Sequence, residues 1–230
     1  MNNSLPLTIG YSTLASRAKN IKFLNSVNNL VVIQNSEGNQ LPNFSGEKTV
    51  LVLQNSGVAK SRNAAIENTN SKYLLFGDDD IEFSEAGIAS AINFLDANQD
   101  ISILLMQAVD ETGKLRKSYP GKAHALKLTN SAKAATYEMA IRVSDIKSKG
   151  IRFDENFGAG ATNYLGDEYI FIADALRAGL KGQFEPFVIA THPTQSSGSL
   201  RNSTKDRSAR ARVFTRVFGI WAPFMRFLFL

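Results

Sequence analysis

The sequence predicts an α/β fold with a mostly parallel central sheet flanked by helices. Three observations carry this: short apolar runs bounded by Asn, Ser and Gly, segments of helical spacing between them, and a total apolar content of 43% in 230 residues. A chain of that length and composition buries a core of single-domain size. The alternation of strand and helix then implies parallel strands with covering helices.

Taken in order, the apolar runs at residues 5–9, 30–33, 50–53 and 73–76 are rich in β-branched or aromatic residues and read as four strands. Residues 14–27 and Val58–Asn68 carry apolar residues at helical intervals and read as helices. A further helix is expected from about Ser84, a plausible N-cap, to about Asn98, and Ile101–Val109 resumes as a strand. Residues 110–135 mix Gly, Lys, Ser and one Pro without periodicity, as in a loop that shapes a substrate site. Residues 169–180 return to helical spacing, and an apolar run around residue 188 ends at His192-Pro193.

Composition excludes several chemistries. No cysteine is present, so disulfides, thiolate metal ligands and a cysteine nucleophile are ruled out and any metal must be bound by oxygen or imidazole. The first ten residues lack the basic and apolar regions of a secretory signal, and the longest apolar stretch, 217–225, is too short to span a bilayer, so cytoplasmic residence is the expectation. Net charge is +5, yet residues 201–230 hold seven Lys/Arg and one Asp, leaving the other 200 residues near −1. This basic C-terminal segment is interleaved with Phe, Trp, Val and Leu, a pattern suited to an anionic membrane surface more than to nucleic acid. Val213, Phe214, Val217, Phe218, Ile220 and Trp221 are expected on one helical face, with Pro223 interrupting the helix. Packing of that stripe against the domain is the alternative.

The chemistry is expected where Asp78-Asp79-Asp80 follows the strand at 73–76, because ligands of open α/β sheets gather at the carboxyl ends of strands. Three adjacent carboxylates repel one another, and a hard divalent cation relieves that repulsion while bridging a diphosphate. A solvated acidic turn would look the same. Gly57-Val-Ala-Lys-Ser-Arg62-Asn63, between a strand and a helix, offers backbone N–H groups and cations for phosphate. Gly166-Asp167-Glu168 opens the helix over 169–180, where carboxylates are also favoured by the helix dipole alone. His192 is either a ligand or a packed residue.

In this order the four elements resemble glycosyltransferase family 2, whose members show a Gly-x-x-x-(Ala/Ser)-Arg-Asn segment, an Asp-x-Asp after a strand, a Gly-Glu-Asp and a late His-Pro. The resemblance runs from Gly10-Tyr-Ser-Thr13 with Arg17 through Phe171 and Ala178-Gly179 to His192-Pro193. It implies a GT-A fold, Rossmann-like with an acceptor-side C-terminal portion: a transferase domain over 1–200, with a nucleotide-sugar half of about 1–110 and an acceptor half of about 111–200, then the basic amphipathic segment 201–230. The implied activity is inverting transfer from a UDP-, dTDP- or GDP-linked sugar to a glycan or glycolipid hydroxyl in bacterial surface polysaccharide or glycolipid synthesis; the basic segment adds the expectation of a cytoplasmic protein peripheral on the inner face of the cytoplasmic membrane, with no nucleic-acid partner. By the same resemblance Mn²⁺ or Mg²⁺ is held by Asp80 and Asp78 with His192, the nucleotide by Thr13, Arg17, Arg62, Asp78 and Asp79, and Glu168 is the base with Asp167 beside it. Residues 155–165 and the region around Arg116–Tyr119 are expected on the acceptor side.

Two departures stand out. Gln34-Asn35 occupies the place of an Asp that contacts the nucleobase in many relatives, and Gly-Asp-Glu replaces Gly-Glu-Asp, exchanging which carboxylate holds the base position. Two rivals make different predictions. A sugar nucleotidyltransferase requires a glycine-rich triphosphate loop near the first strand, where Tyr11-Ser-Thr-Leu-Ala-Ser-Arg17 stands instead. A degenerate, membrane-associated sugar-binding protein predicts loss of the Asp run or of the Gly-Asp-Glu carboxylates, and both are retained.

Overall fold

The computed structural model describes residues 6–35, 37–44, 46, 48–194 and 204–229. Its centre is a mixed, mostly parallel sheet. The strands are β1 (Leu7–Leu14), β2 (Asn28–Gln34), β3 (Thr49–Leu53), β4 (Tyr73–Asp78), β5 (Glu82–Phe83), β6 (Ile101–Val109), β7 (His124–Ala125), β8 (Met139–Arg142) and β9 (Lys181–Thr191). Among the described residues they run in the order β3-β2-β1-β4-β8-β6-β9-β5, with β7 paired to β9. β3, β2, β1 and β4 are mutually parallel, β8 is antiparallel to both β4 and β6, and β6 is parallel to β9.

Both faces of this sheet are covered, which is why its central strands read as unbroken apolar runs. Alternate residues of each strand enter opposite cores. Leu7, Ile9, Tyr11, Val31, Ile33, Tyr73 and Leu75 pack with α2 (Glu85–Ala97) through Ile88, Ala91 and Leu95. Leu30, Val32, Leu74 and Phe76 pack on the other face with α1 (Val58–Asn68), α3 (Val143–Ser148) and α4 (Asp167–Arg177). A third cluster joins Phe157, Tyr169, Ile170 and Ala173 to Val213 and Val217 of α5 (Thr204–Phe218). The last helix is α6 (Ala222–Phe229).

Most expected elements form. Ser84 caps α2, its hydroxyl accepting from the Gly87 N–H at 3.1 Å. The helix expected over 14–27 does not form: β1 continues to Leu14, and only a single 3₁₀ turn, Ala18–Asn20, follows. Ala15, Ala18, Ile21 and Val27 are buried as the periodicity implied, but in irregular chain. There the Asn29 amide donates to the Leu24 and Val27 carbonyls at 2.8 and 3.1 Å, and Tyr11 Oη donates to the Lys22 carbonyl at 3.2 Å. Asn and Ser that bond the backbone in this way compete with a helix.

At the C-terminus the helix breaks at Gly219, which takes φ +55°, and not at Pro223. Pro223 sits in the first turn of α6, where a missing N–H costs no hydrogen bond. The single apolar face expected from Val213 to Trp221 is therefore divided. Val213 and Val217 are buried against α4, whereas Ile220 and Trp221 face solvent.

Candidate active site

The acidic run stands at the carboxyl end of the sheet because of strand register. Ser12 of β1 pairs with Asp78 of β4, so Thr13 comes beside Asp79. Thr13 Oγ1 donates to Asp79 Oδ2 at 2.7 Å, and both residues are buried. Arg17, on the turn after β1, forms an ion pair with Asp79 and lies 3.7 Å from Asp80 Oδ2. Burial raises the Asp79 carboxyl above its ordinary range, with Thr13 and Arg17 opposing.

His192 reaches the same edge by a different route. Immediately after the acidic run β5 pairs antiparallel with β9, Glu82 opposite Thr191, and the His192 N–H donates to the Val109 carbonyl at 2.9 Å. This leaves His192 Nε2 3.9 Å from Asp80 Oδ1. The other ring nitrogen, Nδ1, is 2.8 Å from the Pro193 carbonyl oxygen. A carbonyl only accepts, so Nδ1 is the donor of that hydrogen bond and Nε2 is the ring nitrogen turned toward the Asp80 carboxylate. Tyr137 stacks on the imidazole, with ring centroids 5.0 Å apart. Nothing in the sequence marked Tyr137; its place beside His192 is set by the link into β8.

The second half of the site is organised by Arg62. It is buried in α1, ion-paired with Asp167 at the start of α4, and 3.6 Å from Asp78 Oδ1. Burial alone would lower the guanidinium pKa, but Asp167 and Asp78 hold it raised. Arg62 thus meets two carboxylates of the chain itself. Desolvation likewise raises Asp78, against the opposing pull of Arg62. Next to Arg62, the Asn63 amide donates to the Phe153 carbonyl at 3.0 Å and accepts from the Phe153 N–H at 2.8 Å. Gly57, at φ +117°, precedes α1 in a conformation reserved for glycine, and the Val58 N–H donates to the Ala159 carbonyl at 2.9 Å. The Gly57–Asn63 segment is therefore a clamp on residues 153–160.

Asp167 and Glu168 occupy the first turn of α4. Asp167 is neutralised by Arg62, while Glu168 has no such ion pair among the described residues and is only partly buried. Desolvation first, and the neighbouring Asp167 second, push the Glu168 carboxyl up to about 8. Arg62 connects this pair to Asp78, so Thr13, Arg17, Asp78, Asp79, Asp80, Asp167, Glu168 and His192 belong to one charged constellation. Among the described residues, no group of three or more His, Cys, Asp or Glu side chains is arranged to hold a metal ion by itself.

Residues 37–142 match the model of glycosyl transferase family 2. That stretch contains the Gly57–Asn63 segment and the Asp78–Asp80 run. The similarity is to a family of glycosyltransferases. No curated protein matches the sequence. Among solved structures, Staphylococcus aureus TarS superposes with a TM-score of 0.59 at 15% identity, over 93% of this chain and 44% of that one. TarS 1-349 in complex with UDP-GlcNAc gives 0.62 at 14% identity, over 93% of this chain and 66% of that one. Its complex with UDP gives 0.59 at 14%, over 92% and 64%. Identity this low shows a shared fold, and the chain spans 44% of the first TarS chain and about two thirds of the shorter ones.

Proposed function

We propose that this chain is a GT-A, metal-dependent, inverting glycosyltransferase that moves a sugar from a nucleoside-diphosphate donor to a hydroxyl acceptor in bacterial surface polysaccharide or glycolipid synthesis. One observation carries the reading: two chemically distinct groups, the Asp78–Asp80 run with Thr13, Arg17 and His192, and the Asp167–Glu168 pair, are drawn to the carboxyl edge of the parallel strands, with Arg62 touching both Asp78 and Asp167. The UDP-GlcNAc and UDP complexes of TarS favour a UDP-linked donor over GDP or dTDP.

The donor set fits a hard cation. His192 Nε2 faces the Asp80 carboxylate at 3.9 Å, leaving two oxygen- and nitrogen-donor groups side by side, and a hydrogen-bonded Nδ1 is the usual orientation of a ligating histidine. Asp80 and His192 would hold Mn²⁺ or Mg²⁺ with Asp78 nearby, and the chemistry such an ion supplies is neutralisation of charge on the departing diphosphate. Arg17, with its side chain 46% exposed, is the cation of this cluster with room to turn toward that diphosphate.

Glu168 is the general base. It takes the proton of the acceptor hydroxyl while that oxygen bonds to the anomeric carbon, and the sugar–phosphate bond breaks with its electron pair leaving on the diphosphate oxygen. Asp167 is closed to this role by Arg62.

A thermal-shift panel of UDP, GDP and dTDP with and without Mn²⁺ tests the donor site, since a ligand of the folded state raises its apparent stability. UDP should give the largest shift, and only with the metal present. Equal shifts with and without Mn²⁺, or none for any nucleotide, would remove the metal-bound nucleotide from the reading. Asp80→Ala should abolish both the Mn²⁺-dependent shift and turnover.

A further inference from the structure

We propose that the turn joining α5 to α6 is a docking surface for an anionic lipid bilayer. Ile220, Trp221 and Phe224 are 89%, 66% and 59% exposed, although Val213, Val217 and Ala222 beside them are buried. Three large apolar side chains gathered at one turn form a patch that a soluble surface seldom leaves uncovered. The indole belongs to the class of side chain that settles at membrane–water interfaces.

Charge decides what covers the patch. Arg216 is already engaged by Asp154 and Asp174, and Arg212 donates to Asn163 at 3.0 Å. Arg207, Arg210 and Arg226 are exposed on α5 and α6. Segment 201–230 carries seven basic residues and one acidic, against a remainder near −1. A second copy docking through the same patch would bring two of these basic segments together, because a twofold interface pairs a surface with itself. A nucleic acid would satisfy the arginines but leave Ile220 and Phe224 against phosphates and water. An anionic bilayer satisfies both, with phosphates for the guanidinium groups and an acyl boundary for the apolar side chains. The inference is independent of the sugar transferred.

Co-sedimentation of the full chain with phosphatidylglycerol–phosphatidylcholine vesicles tests it, with pure phosphatidylcholine vesicles as the second arm. Binding should be strong to the anionic vesicles, at least about tenfold weaker to the neutral ones, and reduced by added salt. The variant I220S/W221S/F224S should bind at least about tenfold more weakly at an unchanged melting temperature, since these side chains are exposed. R207Q/R210Q/R226Q should lose about fivefold per arginine, or roughly a hundredfold in all. The proposal is overturned by a wild-type chain that ignores anionic vesicles, or by both variants binding as wild type does. Sedimentation velocity showing a wild-type dimer that I220S/W221S/F224S converts to monomer would assign the patch to a second copy instead.

Discussion

Asp167 and Glu168 are adjacent in sequence, differ by one methylene and share a helix N-terminus, yet one is paired and the other perturbed. Arg62 neutralises Asp167, while desolvation and that same neighbour push Glu168 up to about 8. A base must be ionised to act, so kcat/KM should rise with pH and level off above about 8. Glu168→Gln should remove that limb and lower kcat by about 10²–10⁴-fold. If Asp167→Asn instead takes the larger share of kcat while retaining its melting temperature, the roles are reversed. The same perturbation acts on stability with a definite sign. A carboxyl whose folded pKa is raised contributes stability that is complete below the unfolded value and lost as pH rises through about 8. Wild type should therefore lose melting temperature relative to Glu168→Gln between pH 5 and pH 9, and parallel curves would refute the raised pKa. At this scale the placing of the carboxylates was legible in the sequence, because a Gly-Asp-Glu before a helix and an Asp run after a strand are local patterns. It was illegible for Tyr137, whose stacking on His192 joins residues 55 positions apart with no motif around either ring.

At the scale of elements, strands buried on both faces were readable as short apolar runs bounded by Asn, Ser and Gly, and Ser84 announced its helix correctly. The helix read over 14–27 failed because buried residues in an irregular segment mimicked helical spacing while Asn29 bonded the backbone elsewhere. β8 and α3 went unread because four-residue and six-residue elements are too short to show a period. The docking of α5 on α4 depends on one residue that the sequence named only as part of a motif. Gly166 takes φ +88°, and a Cβ there would stand 2.5 Å from Val213 Cγ2 of α5. Gly166→Ala should cost about 1–2 kcal/mol for the left-handed backbone and about 1–3 more for overpacking. Gly179→Ala is the control, since Gly179 has φ +84° and a Cβ added there would meet nothing within 4 Å, so only the backbone cost of about 1–2 kcal/mol applies. Urea titrations of both variants should separate them, and equal losses would show that α5 is not seated against Gly166.

Across the whole molecule the first and second halves of the chain meet at a buried cation. Arg62 meets Asp78 on β4 and Asp167 on α4, which lies 105 residues further along the chain. Each partner was visible in the sequence as a member of its own short segment, but their pairing was not, because contact between distant segments is fixed by topology. Removing one member of a buried ionic group leaves the others charged and unpaired, which typically costs about 3–5 kcal/mol. For a chain of this size that is a fall of roughly 6–20 °C in melting temperature. Arg62→Ala should show such a fall. Arg62→Lys should recover only part of it, because a compact ammonium cannot present the guanidinium fork to two carboxylates at once. The deficit should also shrink as pH is lowered from 7 toward 5, since a buried carboxylate without its cation escapes by taking a proton. Arg17→Ala provides the contrast: its exposed side chain predicts little change in melting temperature but weaker UDP binding in the presence of Mn²⁺. If Arg62→Ala melts like wild type and loses only nucleotide affinity, then Arg62 serves the ligand and not the joint between the two portions of the fold.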